Sequence, residues 1–214
     1  MFCGGLVLCG GRSTRMGLAK ATLPFGPELM LQRVVRLLGQ VVAPIAVVAA
    51  PGQELPPLPA GVIVARDERE GRGPLEGLLA GLSALASHCD AAYATSCDVP
   101  LLVPAFVREM IAKLDEHDIA VPVEGQFHHP LAAVYRTRVS SVIAELLAAN
   151  QLRPVFLFDR VATCRVPVSE LTAVDPQLDT LKNLNRPEDY LSALTEAGFA
   201  ADPAILAALE STGT

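Results

Sequence analysis

Short apolar runs alternate with stretches in which apolar residues recur every three or four positions. Leu6–Cys9, Ile45–Ala49, Val62–Ala65 and Ala92–Ser96 are brief, apolar and bounded by Gly, Pro or charge, which predicts strands. Leu29–Leu38, Leu75–Leu85 and Phe106–Leu114 carry helical spacing. This βαβ rhythm predicts an α/β chain with a doubly wound, mostly parallel sheet and helices on both faces, joined by right-handed crossovers. Active residues then belong at the carboxyl ends of strands. After Ile119–Val123 the rhythm loosens. Leu131–Tyr135 reads as a strand, Val139–Ala149 as a helix and Thr163–Val168 as a late strand, with one more short helix beyond Phe199. The proline-rich stretch 51–59 reads as a stiff surface connection, because the alternation resumes directly after it.

Composition narrows the class. With 51% hydrophobic and 19% charged residues the chain has ample material for a core and is not disordered. A net charge of -6 argues against nonspecific nucleic-acid binding, which needs a broad basic face. The longest apolar stretch, Val41 to Ala50, is too short for a membrane span and is broken by Pro44. Five cysteines (Cys3, Cys9, Cys89, Cys97, Cys164) show no C-x-x-C spacing and read as apolar side chains in a reducing compartment, so a cytoplasmic location is expected. The 214 residues are expected to form one domain, with a nucleotide-binding half over 1–115, an acceptor-binding half over 116–200 and a helix or tail over 201–214.

Charge is not spread evenly. Residues 1–27 carry Arg12, Arg15 and Lys20 and no acidic side chain. A strand running into Gly10-Gly11 lets backbone approach a ligand closely, and bared N–H groups beside three cations make a phosphate cradle. A tight strand-to-helix turn with a solvated basic face is the plainer reading of the glycines alone; the acid-free basic surroundings favour phosphate. The spacing fits neither a P-loop, since Ala21 follows Lys20, nor G-x-G-x-x-G, since the glycine after Gly11 is Gly17. The pattern over Leu8, Gly10, Gly11, Ser13, Arg15, Met16, Gly17 and Lys20 resembles the signature loop of nucleotidyltransferases, most closely the molybdenum cofactor guanylyltransferases.

That resemblance extends over residues 6 to 190, in the family's order. It implies a Rossmann-like, three-layer α/β/α fold of the nucleotidyltransferase type. Leu8, Cys9, Gly10, Gly11, Arg12, Ser13 and Lys20 would contact the nucleotide, with Lys20 and Arg15 offsetting charge on the leaving pyrophosphate. In Thr95-Ser96-Cys97-Asp98-Val99-Pro100 an apolar strand ends on a carboxylate. Alone, Asp98 reads as a turn or cap residue; the resemblance makes it the Mg2+-binding aspartate. The loop 66–77 reads as an exposed turn, or, by resemblance, as a nucleotide contact at Asp67 with Gly73, Pro74 and Gly77 beside the guanosine. Glu76 stands where many family members have alanine, and Ala49–Gly52 lacks the asparagine that often touches the nucleotide.

The acceptor side is implied further on. His129 precedes a strand and reads either as a lone satisfied histidine or as part of the family's His/Gln-Pro-Leu stretch near the acceptor. Arg153 is a surface cation at a helix end, or the guanidinium fork that holds the acceptor's phosphate. Asn183 and Asn185 match the closing Asn-x-Asn-x-Pro-Glu-Asp motif, and Asn185 also suits a helix cap while Asn183 faces the site. The implied reaction moves GMP from GTP to the terminal phosphate of molybdopterin. Cofactor-delivery proteins and target molybdoenzymes are the implied protein partners. The rival readings are a cytidylyltransferase of the same fold and a silent GTP-binding regulator. Gly10, where cytidylyltransferases usually carry alanine, favours the larger purine.

Overall fold

The computed structural model describes residues 2–9, 18–67 and 71–211. Its main sheet holds β1 (Cys3–Leu8), β4 (Ile45–Ala49), β5 (Ile63–Arg66), β6 (Ala91–Ser96), β7 (Ile119–Glu124), β9 (Ala133–Arg136) and β10 (Thr163–Pro167), in the order β10-β7-β9-β6-β1-β4-β5. The short β8 (Phe127–His128) pairs with β7, and β2 (Pro24–Phe25) with β3 (Glu28–Leu29) forms a separate hairpin. Every pairing along the main order is parallel except those of β9, which runs antiparallel to β6 and to β7. The expected mostly parallel sheet is thus observed.

The loosening of the rhythm after residue 119 has a topological cause. The crossover from β6 through α3 (Pro104–Leu114) to β7 skips one strand position, and β9 fills that slot from the opposite direction. Its amino end therefore lies at the edge where the parallel strands have their carboxyl ends. The segment leading into β9, from His129, reaches the same edge as Asp98.

Alternation along the strands sorts the core into two layers. Val7, Val47, Tyr93, Ala120 and Val134 face α1 (Met30–Leu38) and α3. Leu6, Leu8, Val48, Ala92 and Val121 face α2 (Pro74–Leu85), α4 (Ser140–Ala148) and α5 (Val155–Phe158). On α1, Leu31, Val34, Val35 and Leu38 recur at helical spacing and are all buried. A third cluster joins the β2–β3 hairpin and the start of α1 to α7 (Pro187–Glu196) and α8 (Pro203–Ser211) through Phe25, Met30, Tyr190, Leu194 and Leu209. It is closed by a hydrogen bond from the Tyr190 hydroxyl to the Pro24 carbonyl at 2.5 Å and by the Arg33 guanidinium over the Phe25 and Phe199 rings.

The strand Ile45–Ala49 has the expected bounds, and the other elements differ from theirs by at most three residues. The helix expected over Val139–Ala149 begins at Ser140 and ends at Ala148, and Asn150 turns the chain at φ 56°. Thr163–Val168 keeps strand geometry only to Pro167, after which α6 (Val168–Leu171) begins. Val62–Ala65 is displaced by one residue to Ile63–Arg66, at the sheet's edge. The β2–β3 hairpin was not expected, because two-residue strands are too short to show a period. No helix among the described residues is long and apolar enough to cross a membrane.

Candidate active site

The carboxyl ends of β1 and β6 lie side by side, since Leu8 pairs with Ser96 and the Cys97 amide donates to the Leu8 carbonyl at 3.0 Å. Asp98 follows directly, in the turn that ends β6. Its Oδ1 accepts from the Ser96 hydroxyl and from the Asn183 amide at 2.9 Å, and that amide also reaches Ser96 Oγ at 3.2 Å. Its Oδ2 faces the Lys20 ammonium at 2.8 Å. Both members of this ion pair are largely shielded, with 16% and 13% of their side chains exposed. Lys20 Nζ donates as well to Asn185 Oδ1 at 2.8 Å.

Three side chains thus converge on one carboxylate, and a fourth, Asn185, holds the lysine. Lys20 opens a short 3-10 turn (Lys20–Thr22) after the signature loop, whereas the asparagines come from the strap before α7. The strap is tied to the Asp98 turn by the Leu184 amide, which donates to the Asp98 carbonyl at 3.0 Å. Asn185 does not cap the helix. The carboxylate of Asp189 takes that role, accepting from the backbone N–H groups of Asn185 and Arg186 at 3.1 and 3.0 Å, which frees Asn185 to face Lys20. Both asparagines therefore look into the site.

A second group lies where β5 meets α2. The Asp67 amide donates to the Ala49 carbonyl at 3.1 Å, while its buried Oδ1 has no hydrogen-bond partner among the described residues. A Cβ on Gly77 would stand 3.4 Å from that oxygen and 2.6 Å from Leu8 Cδ2, so only glycine lets α2 approach β1 and Asp67 this closely. Gly73 sits at φ 72° before Pro74, which occupies the first turn of α2. Glu76 is buried on that turn, with Arg72 3.7 Å away as its ion-pair partner. Burial first, and then the charge of Glu76, hold the Asp67 carboxyl above the ordinary carboxylate range. The Arg72 guanidinium also donates to the Leu147 carbonyl, so this turn is fastened to the end of α4. A Cβ on Gly73 would lie 3.6 Å from the Leu152 carbonyl, which puts Leu152 and Arg153 beside the entrance to α2. Arg153 itself is exposed.

Two residues at this edge had no expected role. Gln53 bridges the β4 and β1 ends: its Oε1 accepts from the Ala50 amide at 3.0 Å and its Nε2 donates to the Cys9 carbonyl at 3.2 Å. It occupies the region where the family's asparagine is missing, and an amide directly after the Pro51-Gly52 turn was the signal available. Ser96 was visible only as strand sequence. His129 is half-buried, its ring edge-on to Phe127 at 4.8 Å, and burial holds its imidazole below the usual range. His128 instead stacks on Phe158 at 5.2 Å. Interaction with the neighbouring Cys97 thiol, and then burial, push the Cys9 thiol up. All five cysteines are free. Gly10, Gly11, Arg12, Ser13 and Arg15 lie outside the described residues.

The profile described as MobA-like NTP transferase domain matches residues 5–163, from β1 to the start of β10. The chain belongs to this family. A probable molybdenum cofactor guanylyltransferase from Pelotomaculum thermopropionicum is 35% identical over 193 residues, covering 88% of this chain and 90% of that relative. Among solved structures, the molybdopterin-guanine dinucleotide biosynthesis protein A of Archaeoglobus fulgidus superposes with a TM-score of 0.74 at 18% identity, over 92% of this chain and 99% of that one. A Mycobacterium tuberculosis protein solved in complex with manganese shares the fold at a TM-score of 0.52 and 18% identity, over 78% of this chain and 88% of that one.

Proposed function

We propose that this member of the family is a molybdenum cofactor guanylyltransferase, which moves GMP from GTP to the terminal phosphate of molybdenum-bound molybdopterin and releases pyrophosphate. The observation that carries the reading is the meeting of Lys20 and Asp98 at 2.8 Å on the carboxyl edge of β1 and β6. An acceptor phosphate oxygen attacks the α-phosphorus, forming one P–O bond as the bond to the β-phosphate oxygen breaks. The protein contributes position and charge rather than a covalent intermediate. Lys20 offsets charge on the departing pyrophosphate, together with Arg15 of the loop.

The donor set around Asp98 fits a hard divalent cation such as Mg2+. One carboxylate is oriented by two neutral donors on Oδ1, and its Oδ2 already faces a cationic group. Magnesium and manganese commonly take one or two carboxylates and complete their shell with substrate phosphates and water. Such an ion would neutralise phosphate charge beside Lys20. Asp67, with its unsatisfied oxygen over Gly77, offers an acceptor to hydroxyl or amino donors of the nucleoside. In the acceptor half, Arg153 offers a fork for a phosphate monoester, and His129 lies at the same sheet edge. Five free thiols suit the reducing cytoplasm.

Thermal-shift titration with GTP, CTP, ATP and UTP in Mg2+ tests the assignment. At about a hundred times its Kd the true substrate adds roughly 2.7 kcal/mol. For a chain of this size that raises the melting temperature by about 5–10 °C. Equal or greater stabilisation by CTP would reject guanylyl transfer while leaving the fold standing.

A further inference from the structure

Lys20 is already engaged before any phosphate reaches it. Its ammonium lies 2.8 Å from Asp98 Oδ2 and 2.8 Å from Asn185 Oδ1. The other carboxylate oxygen takes the Ser96 hydroxyl and the Asn183 amide. The three donors differ in what they permit. Ser96 and Asn183 are neutral and bind Oδ1, so they can remain while a cation is held on Oδ2. The ammonium cannot. A divalent ion about 2.1 Å from Oδ2 needs the lone pairs that Lys20 now uses, and would stand only a few ångströms from a like charge.

The alternative partner of Lys20 is firmly placed. The Asn185 and Arg186 amides are held by Asp189, and the Leu184 amide is held by the Asp98 carbonyl. The strap therefore presents Asn185 Oδ1 at a fixed height above the carboxylate. We propose that Lys20 is the resident counter-cation of Asp98, positioned there by Asn185, and that a divalent cation gains the carboxylate only as nucleotide phosphates draw the ammonium away. Metal and nucleotide then bind with positive coupling, and by linkage each tightens the other by the same factor. The inference rests on the reading of Asp98 as the metal carboxylate.

Manganese alone is the probe, followed by the electron paramagnetic resonance signal of the free ion, without nucleotide. The proteins are wild type, Lys20→Met, Asp98→Asn and the double variant, with circular dichroism to confirm folding. Lys20→Met should bind Mn2+ at least about tenfold more tightly than wild type, because a like charge and a competing donor are both gone. Adding Asp98→Asn should erase the gain. The factor by which Mn2+ tightens GTP binding should also be smaller in Lys20→Met, since only direct metal–phosphate contacts remain. If Lys20→Met misfolds, Lys20→Gln makes the same comparison. Equal or weaker Mn2+ binding by the Lys20 variant, while Asp98→Asn lowers it, overturns the counter-cation role and leaves the metal site standing. Mn2+ binding that Asp98→Asn does not change in either background removes the metal assignment itself.

Discussion

Replacing Asn183 with alanine removes one donor from Asp98 Oδ1 at 2.9 Å and one from Ser96 Oγ at 3.2 Å. A hydrogen bond to a charged group is worth about 1.5–3 kcal/mol. Asn183 is exposed, so water replaces part of the loss and about 1 kcal/mol remains. With tenfold in rate per ~1.4 kcal/mol, turnover should fall roughly fivefold as the carboxylate loses its fixed orientation. The side chain is not part of the core, and the melting temperature should change little. The assay is steady-state transfer with GTP and molybdopterin titrated separately. The expected pattern is a lower kcat with the KM for the acceptor within about twofold of wild type. A weakened acceptor KM at unchanged kcat would show that Asn183 holds the acceptor, as the family resemblance implies, and that its contact with Asp98 is incidental.

Asp67→Asn should raise the melting temperature at pH 7, because the folded carboxyl titrates above its ordinary value and burying its charge costs stability above that range. The advantage should fade as the pH falls through the raised folded value and be gone below 3.8, where both states are protonated; a variant less stable than wild type at pH 7 would refute the unsatisfied-oxygen account. The same variant should bind GTP more weakly, checked by calorimetry, since an amide supplies one fewer acceptor. Arg153→Ala should weaken acceptor binding by about 1.5–3 kcal/mol with GTP affinity unmoved, and Arg153→Lys should recover only part, a point charge being no substitute for the planar fork. A loss confined to GTP would put Arg153 on the other substrate.

The four strands and three helices expected between Leu6 and Leu114 were legible because their signals are local. A strand buried on both faces is a short apolar run, and a helix against a sheet repeats its apolar residues every three or four positions; both follow from backbone geometry alone. The order of motifs likewise carried the family, and it singled out Asp98, Lys20 and the closing asparagines as candidates. What those residues do to one another was not legible. Lys20 and Asp98 are 78 residues apart, and Lys20 and Asn185 are 165 apart, so no periodicity relates them. Asn185 looked like a helix cap because Asn-x-Pro-Glu is a good local start; the tertiary fold gave that task to Asp189 and turned the amide toward Lys20. Gln53 and Ser96 carry no motif of their own and join the candidate site only because β1, β4 and β6 lie side by side. Glu76 departs from the family pattern in a stretch whose composition suits an exposed turn, yet α2 buries it beside Arg72. Sequence determined which elements form, because dihedral preference and burial act over a few residues. The tertiary structure decided which polar groups meet, because a hydrogen bond between distant segments depends on where the whole chain has placed them.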